Sequence, residues 1–103
     1  MKWSKFTEKD VSRVNAVYGV YELGDKDGEV IYTGQGVLRD RLLAHLRGEN
    51  PCALQLAEHY RIQKTGSKRR AEQRERAEMN WYAKQHNGNL PICNRRTEYP
   101  KLS

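Results

Sequence analysis

A chain of 103 residues and 12.0 kDa has room for one domain with a single modest core. Apolar residues make up 37% of the sequence and charged residues 31%, with six tyrosines and two tryptophans, a composition that argues against an intrinsically disordered chain. The net charge of +6 favours a polyanionic partner such as nucleic acid or an acidic surface, and no apolar run approaches the roughly 18 residues of a membrane span.

The N-terminal third of the chain predicts a short helical turn followed by a β-hairpin. Thr7 to Asn15 opens with an N-cap residue and spaces its valines three apart, as a helical turn does. Val17 to Leu23 and Glu29 to Thr33 are rich in β-branched and aromatic residues, which favour strands. Between them, Asp-Lys-Asp-Gly at 25–28 has the composition of a tight turn.

A symmetric turn at 25–28 would fix the pairing of this hairpin. The residue numbers of two residues paired across the hairpin would then sum to about 53, so that Tyr21 lies opposite Tyr32 and Gly19 lies opposite Gly34. We therefore expect both phenols on one face of the sheet, beside backbone that glycines leave open to a ligand. The same pattern fits an aromatic cross-strand pair with glycines at a bend equally well.

The remainder of the chain predicts helices and a third strand. In order, the patterns indicate a helix over Val37 to Arg47, a helical turn over Cys52 to Glu58, a strand over His59 to Lys64, a long charged helix over Lys68 to His86, and an irregular tail over Asn89 to Ser103. The expected fold is a single α+β domain over 1–103, with its core at about 15–95: a three-stranded antiparallel sheet flanked by helices. Cys52 and Cys93 lack C-x-x-C spacing and are expected to be reduced thiols in a cytoplasmic protein.

An ordered set of residues resembles the motifs of the GIY-YIG nuclease family. The set comprises Gly19-Val20-Tyr21, then after ten residues Tyr32-Thr33-Gly34, then Arg41 with His45 four residues on, Glu78 in Glu-Met-Asn-Trp-Tyr, and Asn94 in Pro-Ile-Cys-Asn. The resemblance covers about residues 15–95. It implies a GIY-YIG-like fold and a metal-dependent endonuclease that hydrolyses DNA phosphodiester bonds.

The resemblance also implies roles for these residues. The implied catalytic residues are Tyr21, Tyr32, Arg41 and Glu78, and the implied supporting residues are Gly19, Gly34, His45 and Asn94. Glu78 lies on the predicted inward stripe of the long helix, where a carboxylate is costly unless it is paired or bound to metal. It is therefore the predicted ligand of Mg²⁺ or Mn²⁺, and a surface pair with Arg74 is its alternative.

From the symmetric turn and the helix phases, we expect Tyr21, Tyr32, Arg41 and Glu78 to converge on one concave surface. The resemblance implies that one tyrosine helps to activate the water and that the other orients the phosphate. Because an unperturbed tyrosine has a pKa near 10, a nearby cation must lower that pKa before the side chain can act as a base. Arg41 can grip a phosphate with its planar guanidinium.

Several cations outside the motif are candidates for binding the nucleic-acid backbone. They are Lys68, Arg69, Arg70, Arg95 and Arg96. Interleaved glutamates make a solvated helix face an equal alternative for the run at 68–70. The expected partner is DNA or RNA, with no membrane, and with a homodimer or a partner protein supplying specificity. The alternative function is a catalytically inactive module of the same fold that binds nucleic acid or protein.

Overall fold

The computed structural model describes residues 2–95, which form an α+β domain with one antiparallel sheet and helices on both of its faces. The elements in chain order are β1 (Ser4–Lys5), α1 (Glu8–Val11), β2 (Tyr18–Gly24), β3 (Val30–Val37), α2 (Leu38–Leu46), α3 (Pro51–Leu56), β4 (His59–Lys64), α4 (Lys68–Gln85) and α5 (Ile92–Arg95). The α+β class is confirmed. No helix within 2–95 is long and apolar enough to cross a bilayer.

The sheet has four strands, in the order β1-β4-β2-β3, so the expected count of three is wrong. The additional strand, β1, contains two residues and pairs Ser4 with Tyr60 and Lys5 with His59. A two-residue strand carries no periodic pattern and cannot be found from sequence. The predicted strand over His59 to Lys64 is confirmed at both ends.

The turn of the hairpin contains one residue more than expected. The Asp25 amide donates to the Glu29 carbonyl at 2.9 Å, which leaves three residues in the loop instead of two. Gly28 closes the loop with a φ of 81°, a left-handed conformation that glycine adopts without steric cost. This longer turn changes the pairing of the two strands by one residue.

A β-bulge at Ile31 changes the pairing by a second residue. Gly24 pairs with Val30 and Leu23 pairs with Tyr32, so Ile31 has no partner of its own. Partner numbers beyond the bulge therefore sum to about 55, and the predicted pairing of Tyr21 with Tyr32 is wrong.

Beyond the bulge, Gly34 lies opposite Tyr21 and Gly36 lies opposite Gly19, so the predicted pairing of Gly19 with Gly34 is also wrong. Since the two shifts add to an even number, Tyr21 and Tyr32 still share one face, as expected.

The two faces of the sheet are covered differently. The face that carries Tyr21 and Leu23, here called the tyrosine face, packs on α2 and holds the main apolar core. The opposite face carries Val20 and Glu22 and is covered by α4, so it is called the α4 face. Glu22 is buried there and pairs with Arg61 at 2.7 Å.

Residues after α4 are fastened to the domain by a disulfide. Cys52 in α3 and Cys93 in α5 are bonded across 41 positions, with their Cα atoms 5.5 Å apart. Asn50 caps α3 through Ala53 and donates its amide to the Cys93 carbonyl at 3.0 Å. The expectation of two reduced thiols is therefore wrong. The sequence pattern could not predict the bond, because the two cysteines meet only when α5 folds back onto α3. The described part of the predicted irregular tail includes a short helix.

Candidate functional site

Two tyrosines and a histidine form a closed aromatic cluster on the tyrosine face. The rings of Tyr21 and Tyr32 are stacked with centroids 6.0 Å apart, and His45 lies 4.7 Å from the Tyr32 ring. The Tyr21 hydroxyl and His45 Nε2 form a hydrogen bond of 2.8 Å. Tyr21 and His45 are fully buried, whereas Tyr32 is half-buried. Tyr32 therefore presents the more accessible phenol.

The glycines of the motif make room for these side chains. A Cβ on Gly34 would lie 2.5 Å from Tyr21 Cζ and 2.8 Å from Tyr32 Cε1. A Cβ on Gly19 would lie 2.5 Å from the Gln63 carbonyl oxygen and 2.7 Å from Leu38 Cδ1. The space is thus filled by the protein itself, and the expectation of backbone left open to a ligand at these two glycines is wrong.

Burial keeps the inner part of the cluster uncharged. It raises the pKa of Tyr21 well above the usual range, and neighbouring Tyr32 adds to this while Arg41 opposes it. Burial, with the nearby Arg41 charge, lowers the pKa of His45 to about 4. At neutral pH both groups are therefore neutral. The lowered tyrosine pKa that a general base would need is not found at Tyr21.

Arg41 extends from α2 to the rim of the cluster and forms a two-pronged ion pair. Its Nη1 lies 3.1 Å from Glu49 Oε1 and its Nη2 lies 2.9 Å from Glu49 Oε2. Partial burial alone would lower the pKa of Arg41, but the Glu49 bond and the adjacent Tyr21 raise it overall. The Arg41 side chain is 35% exposed and the Glu49 side chain 47% exposed, so water reaches the pair. These five residues, Tyr21, Tyr32, Arg41, His45 and Glu49, are called the tyrosine site below.

Glu49 was not identified from sequence. It stands eight residues after Arg41 and beyond the end of α2, so helical spacing does not connect the two. The chain turns back at Gly48, and only this turn brings the carboxylate to the arginine. No sequence signal could have found it.

Glu78 does not belong to the tyrosine site. It lies on α4, beside Glu22 and Arg61 on the α4 face, and is only 17% exposed. Its carboxylate pairs with Arg74 at 2.9 Å, which was the alternative for this residue. Tyr21 lies next to both Tyr32 and Arg41, and the expected convergence is wrong for Glu78.

The placement of Glu78 also bears on the implied metal ion. Within 2–95, no group of three or more histidine, cysteine, aspartate or glutamate side chains is arranged to hold a metal. The predicted ligand is paired with an arginine on the far side of the sheet from the tyrosines, and the carboxylate beside them is paired with Arg41. These residues do not fit Mg²⁺ or Mn²⁺ bound at the tyrosine site.

Asn94 has a structural contact. Its carboxamide bonds both the amide and the carbonyl of Thr33 in β3, at 2.8 and 2.9 Å. It thereby holds α5 against the strand that carries Tyr32. The supporting role in the site that the resemblance implied stays a prediction.

The predicted backbone-binding cations lie away from the tyrosine site where the structure describes them. Lys68, Arg69 and Arg70 are exposed in the first turn of α4, and Arg95 is exposed at the end of α5. Arg96 lies outside the described residues. The α4 cations are thus associated with the α4 face of the sheet.

Comparison with known proteins identifies a family without assigning a function. A family model described as a domain of unknown function, DUF7508, matches residues 1–86. No curated protein matches this chain. No solved structure matches it either.

Proposed function

We propose that this chain, which belongs to the family DUF7508, is a nucleic-acid-binding module that grips a backbone phosphate at the tyrosine site. The observation that carries the proposal is the two-pronged pair of Arg41 with Glu49 at the rim of the aromatic cluster, next to Tyr21. A carboxylate and a phosphate present the same pair of oxygens to a guanidinium. The Glu49 carboxylate therefore occupies the position that a phosphate would take.

The energy of the Arg41–Glu49 pair makes such an exchange feasible. Exposed ion pairs are typically worth about 0–1 kcal/mol, because water screens the charges and both side chains lose freedom. A backbone phosphate can therefore replace Glu49 at little cost. The net charge of +6 adds long-range attraction to nucleic acid.

The test is binding of fluorescein-labelled single-stranded and duplex DNA, followed by anisotropy at several salt concentrations. We expect Arg41→Ala to weaken binding and to lower the salt dependence by about one released counterion. Arg39→Ala, on the same helix and with the same change in charge, is the matched control. Glu49→Gln should strengthen binding, because it removes the internal competitor. Equal effects of the two arginine variants would refute the proposal.

The second candidate is a DNA endonuclease. It is favoured by the cluster of Tyr21, Tyr32, His45 and Arg41, since phosphodiester hydrolysis needs oriented donors and a cation against developing charge. This candidate ranks second because Glu78 stands apart from the cluster and the buried phenol of Tyr21 is held neutral.

A cleavage assay on single-stranded, duplex and branched DNA with Mg²⁺ or Mn²⁺ separates the two functions. An endonuclease at this site should lose about a hundredfold to a thousandfold in rate with Arg41→Ala. Glu78→Ala should leave the rate of cutting unchanged, because the Glu78 carboxylate lies on the α4 face, away from the tyrosine site. Lack of cutting by a preparation that binds DNA favours the binding module.

A further inference from the structure

A groove runs along the flank of α4 on the side of the sheet remote from the tyrosine site. Its first part, of about 360 Å³, lies between α4 and the end of β4 and includes Lys64, Arg70, Arg74 and Ala77. A second recess, lined by Arg74, Ala77, Glu78 and Trp81, continues along the helix. We call this combined surface the α4 groove.

One stripe of α4 forms the helical wall of this groove. Arg70, Arg74, Ala77 and Trp81 are spaced at i, i+4, i+7 and i+11, which places them on one side of a helix. The stripe extends for about 16 Å at 1.5 Å per residue. About five stacked nucleotides cover the same distance at 3.4 Å each.

Trp81 ends the groove with an exposed aromatic surface. Its side chain is 64% exposed, the highest value among the large apolar residues within 2–95. Ala77, one turn earlier, adds only a methyl group beside the ring. An indole in this setting offers a free face on which a base can stack.

The charges of the groove favour a polyanion, because the cations Lys64, Arg70 and Arg74 outnumber the single carboxylate of Glu78. Within 2–95, no carboxylate lies within ion-pair distance of the Arg70 guanidinium. Lys64 donates to the Asn15 side chain at 2.7 Å at the edge of the groove. Arg74 pairs with Glu78 at 2.9 Å, and its own side chain is 46% exposed, so a phosphate can reach the guanidinium from solvent.

We propose that the α4 groove binds a single-stranded stretch of nucleic acid, with Lys64, Arg70 and Arg74 contacting phosphates and Trp81 stacking on a base. Stacking on an indole needs an unpaired or terminal base, because the faces of paired bases inside a duplex are already covered. Phosphate contacts alone do not distinguish sequences. The groove therefore prefers single strands with little sequence specificity.

This inference rests on the proposed function in requiring a nucleic-acid partner. The test measures the affinity of the full chain for fluorescein-labelled dT12 and for a hairpin duplex by anisotropy. Trp81→Ala should weaken dT12 binding roughly tenfold to a hundredfold and change duplex binding less than twofold. Leu54→Ala, which removes another exposed apolar side chain, should leave both affinities unchanged.

A charge reversal tests the phosphate contacts. Arg70→Glu should weaken dT12 binding more than Arg13→Glu, which makes the same change in net charge at an exposed position outside the groove. Circular dichroism verifies that each variant is folded, and exposed substitutions of this kind rarely perturb stability.

The outcomes separate this inference from the proposed function. Unchanged dT12 binding by Trp81→Ala overturns the groove, and a loss with Arg41→Ala in the same experiment leaves the proposed function standing. If the chain binds the hairpin duplex but not dT12, the proposal for the α4 groove is overturned and the proposed function is not. A poly-glutamate peptide that binds the groove more tightly than dT12 would identify a protein site instead. Lack of binding to either DNA overturns both proposals.

Discussion

The side chain of Asn94 acts toward Thr33 as a neighbouring strand would. Its carboxamide accepts the Thr33 amide proton at 2.8 Å and donates to the Thr33 carbonyl at 2.9 Å. Thr33 belongs to β3, which lies at one edge of the sheet. One side of β3 pairs with β2, and the other side has no strand partner among the described residues. An uncovered edge strand exposes backbone groups that other chains can pair with. Asn94 therefore satisfies the backbone amide and carbonyl of Thr33 at this edge, next to Tyr32.

Replacing Asn94 with alanine should loosen this edge. Loss of two hydrogen bonds to backbone groups should cost about 1–3 kcal/mol in the free energy of unfolding. Amide hydrogen exchange at Thr33 should accelerate in Asn94→Ala, as read by NMR or mass spectrometry. Asn80→Ala, at an exposed position on α4, is the control and should change stability by no more than about half a kcal/mol. Unchanged exchange at Thr33 would show that another contact protects the edge.

The buried imidazole of His45 should make stability depend on pH. Burial lowers its pKa from an ordinary value near 6.5 to about 4, so the unfolded chain binds a proton in this range while the folded chain does not. Stability should therefore fall as the pH drops from about 6.5 to about 4, by about 3 kcal/mol in total.

Urea unfolding at pH 7, 6 and 5 measures this contribution. His45→Gln should be less stable than the parent at pH 7 but should lose less stability on acidification. His86→Gln, at an exposed position, should follow the parent curve. Parallel curves for the parent and for His45→Gln would mean that the imidazole is solvated.

Gly34 should be sensitive to a single added methyl group. A Cβ there would overlap Tyr21 and Tyr32, so Gly34→Ala should cost about 2–3 kcal/mol. Because the Tyr21 hydroxyl lies nearest to the added atom, the cost should fall by about 1 kcal/mol in a Tyr21→Phe background. Chemical denaturation of the four proteins of this cycle measures the coupling.

Gly66→Ala is the control for backbone conformation. Gly66 has a φ of 83° and nothing within 4 Å of the position of a Cβ. Its substitution should therefore cost only about 1–2 kcal/mol of conformational strain. If Gly34→Ala costs the same free energy of unfolding with and without Tyr21→Phe, the clash is relieved by movement of other residues.

The disulfide should contribute substantially to stability. Closing a loop of 41 positions between Cys52 and Cys93 restricts the unfolded chain by about 4 kcal/mol in the chain-entropy treatment. Reduction should lower the melting temperature of the parent, and thiol labelling with mass spectrometry should find two reactive thiols only after reduction. The double variant Cys52→Ser with Cys93→Ser should already melt low and should not respond to reductant. A parent with two free thiols before reduction would contradict the pairing.

Local patterns predicted where most elements lie. The predicted strand at His59 to Lys64 has the observed bounds, and the predicted long helix ends one residue beyond α4. The shared face of Tyr21 and Tyr32 also followed, because side chains alternate along a strand whatever its exact register, provided that the shift is even. These features depend on neighbouring residues alone, which is why the sequence determined them.

Long-range geometry decided the candidate site. Helical phase identified the side of α4 that turns inward, but it could not tell which face of the sheet that side would cover, and so Glu78 was assigned to the wrong surface. The turn at Gly48 brought Glu49 to Arg41, and the return of α5 joined Cys93 to Cys52. Such contacts depend on how packed elements are placed in space, and the spacing of residues along the chain carries no record of that placement.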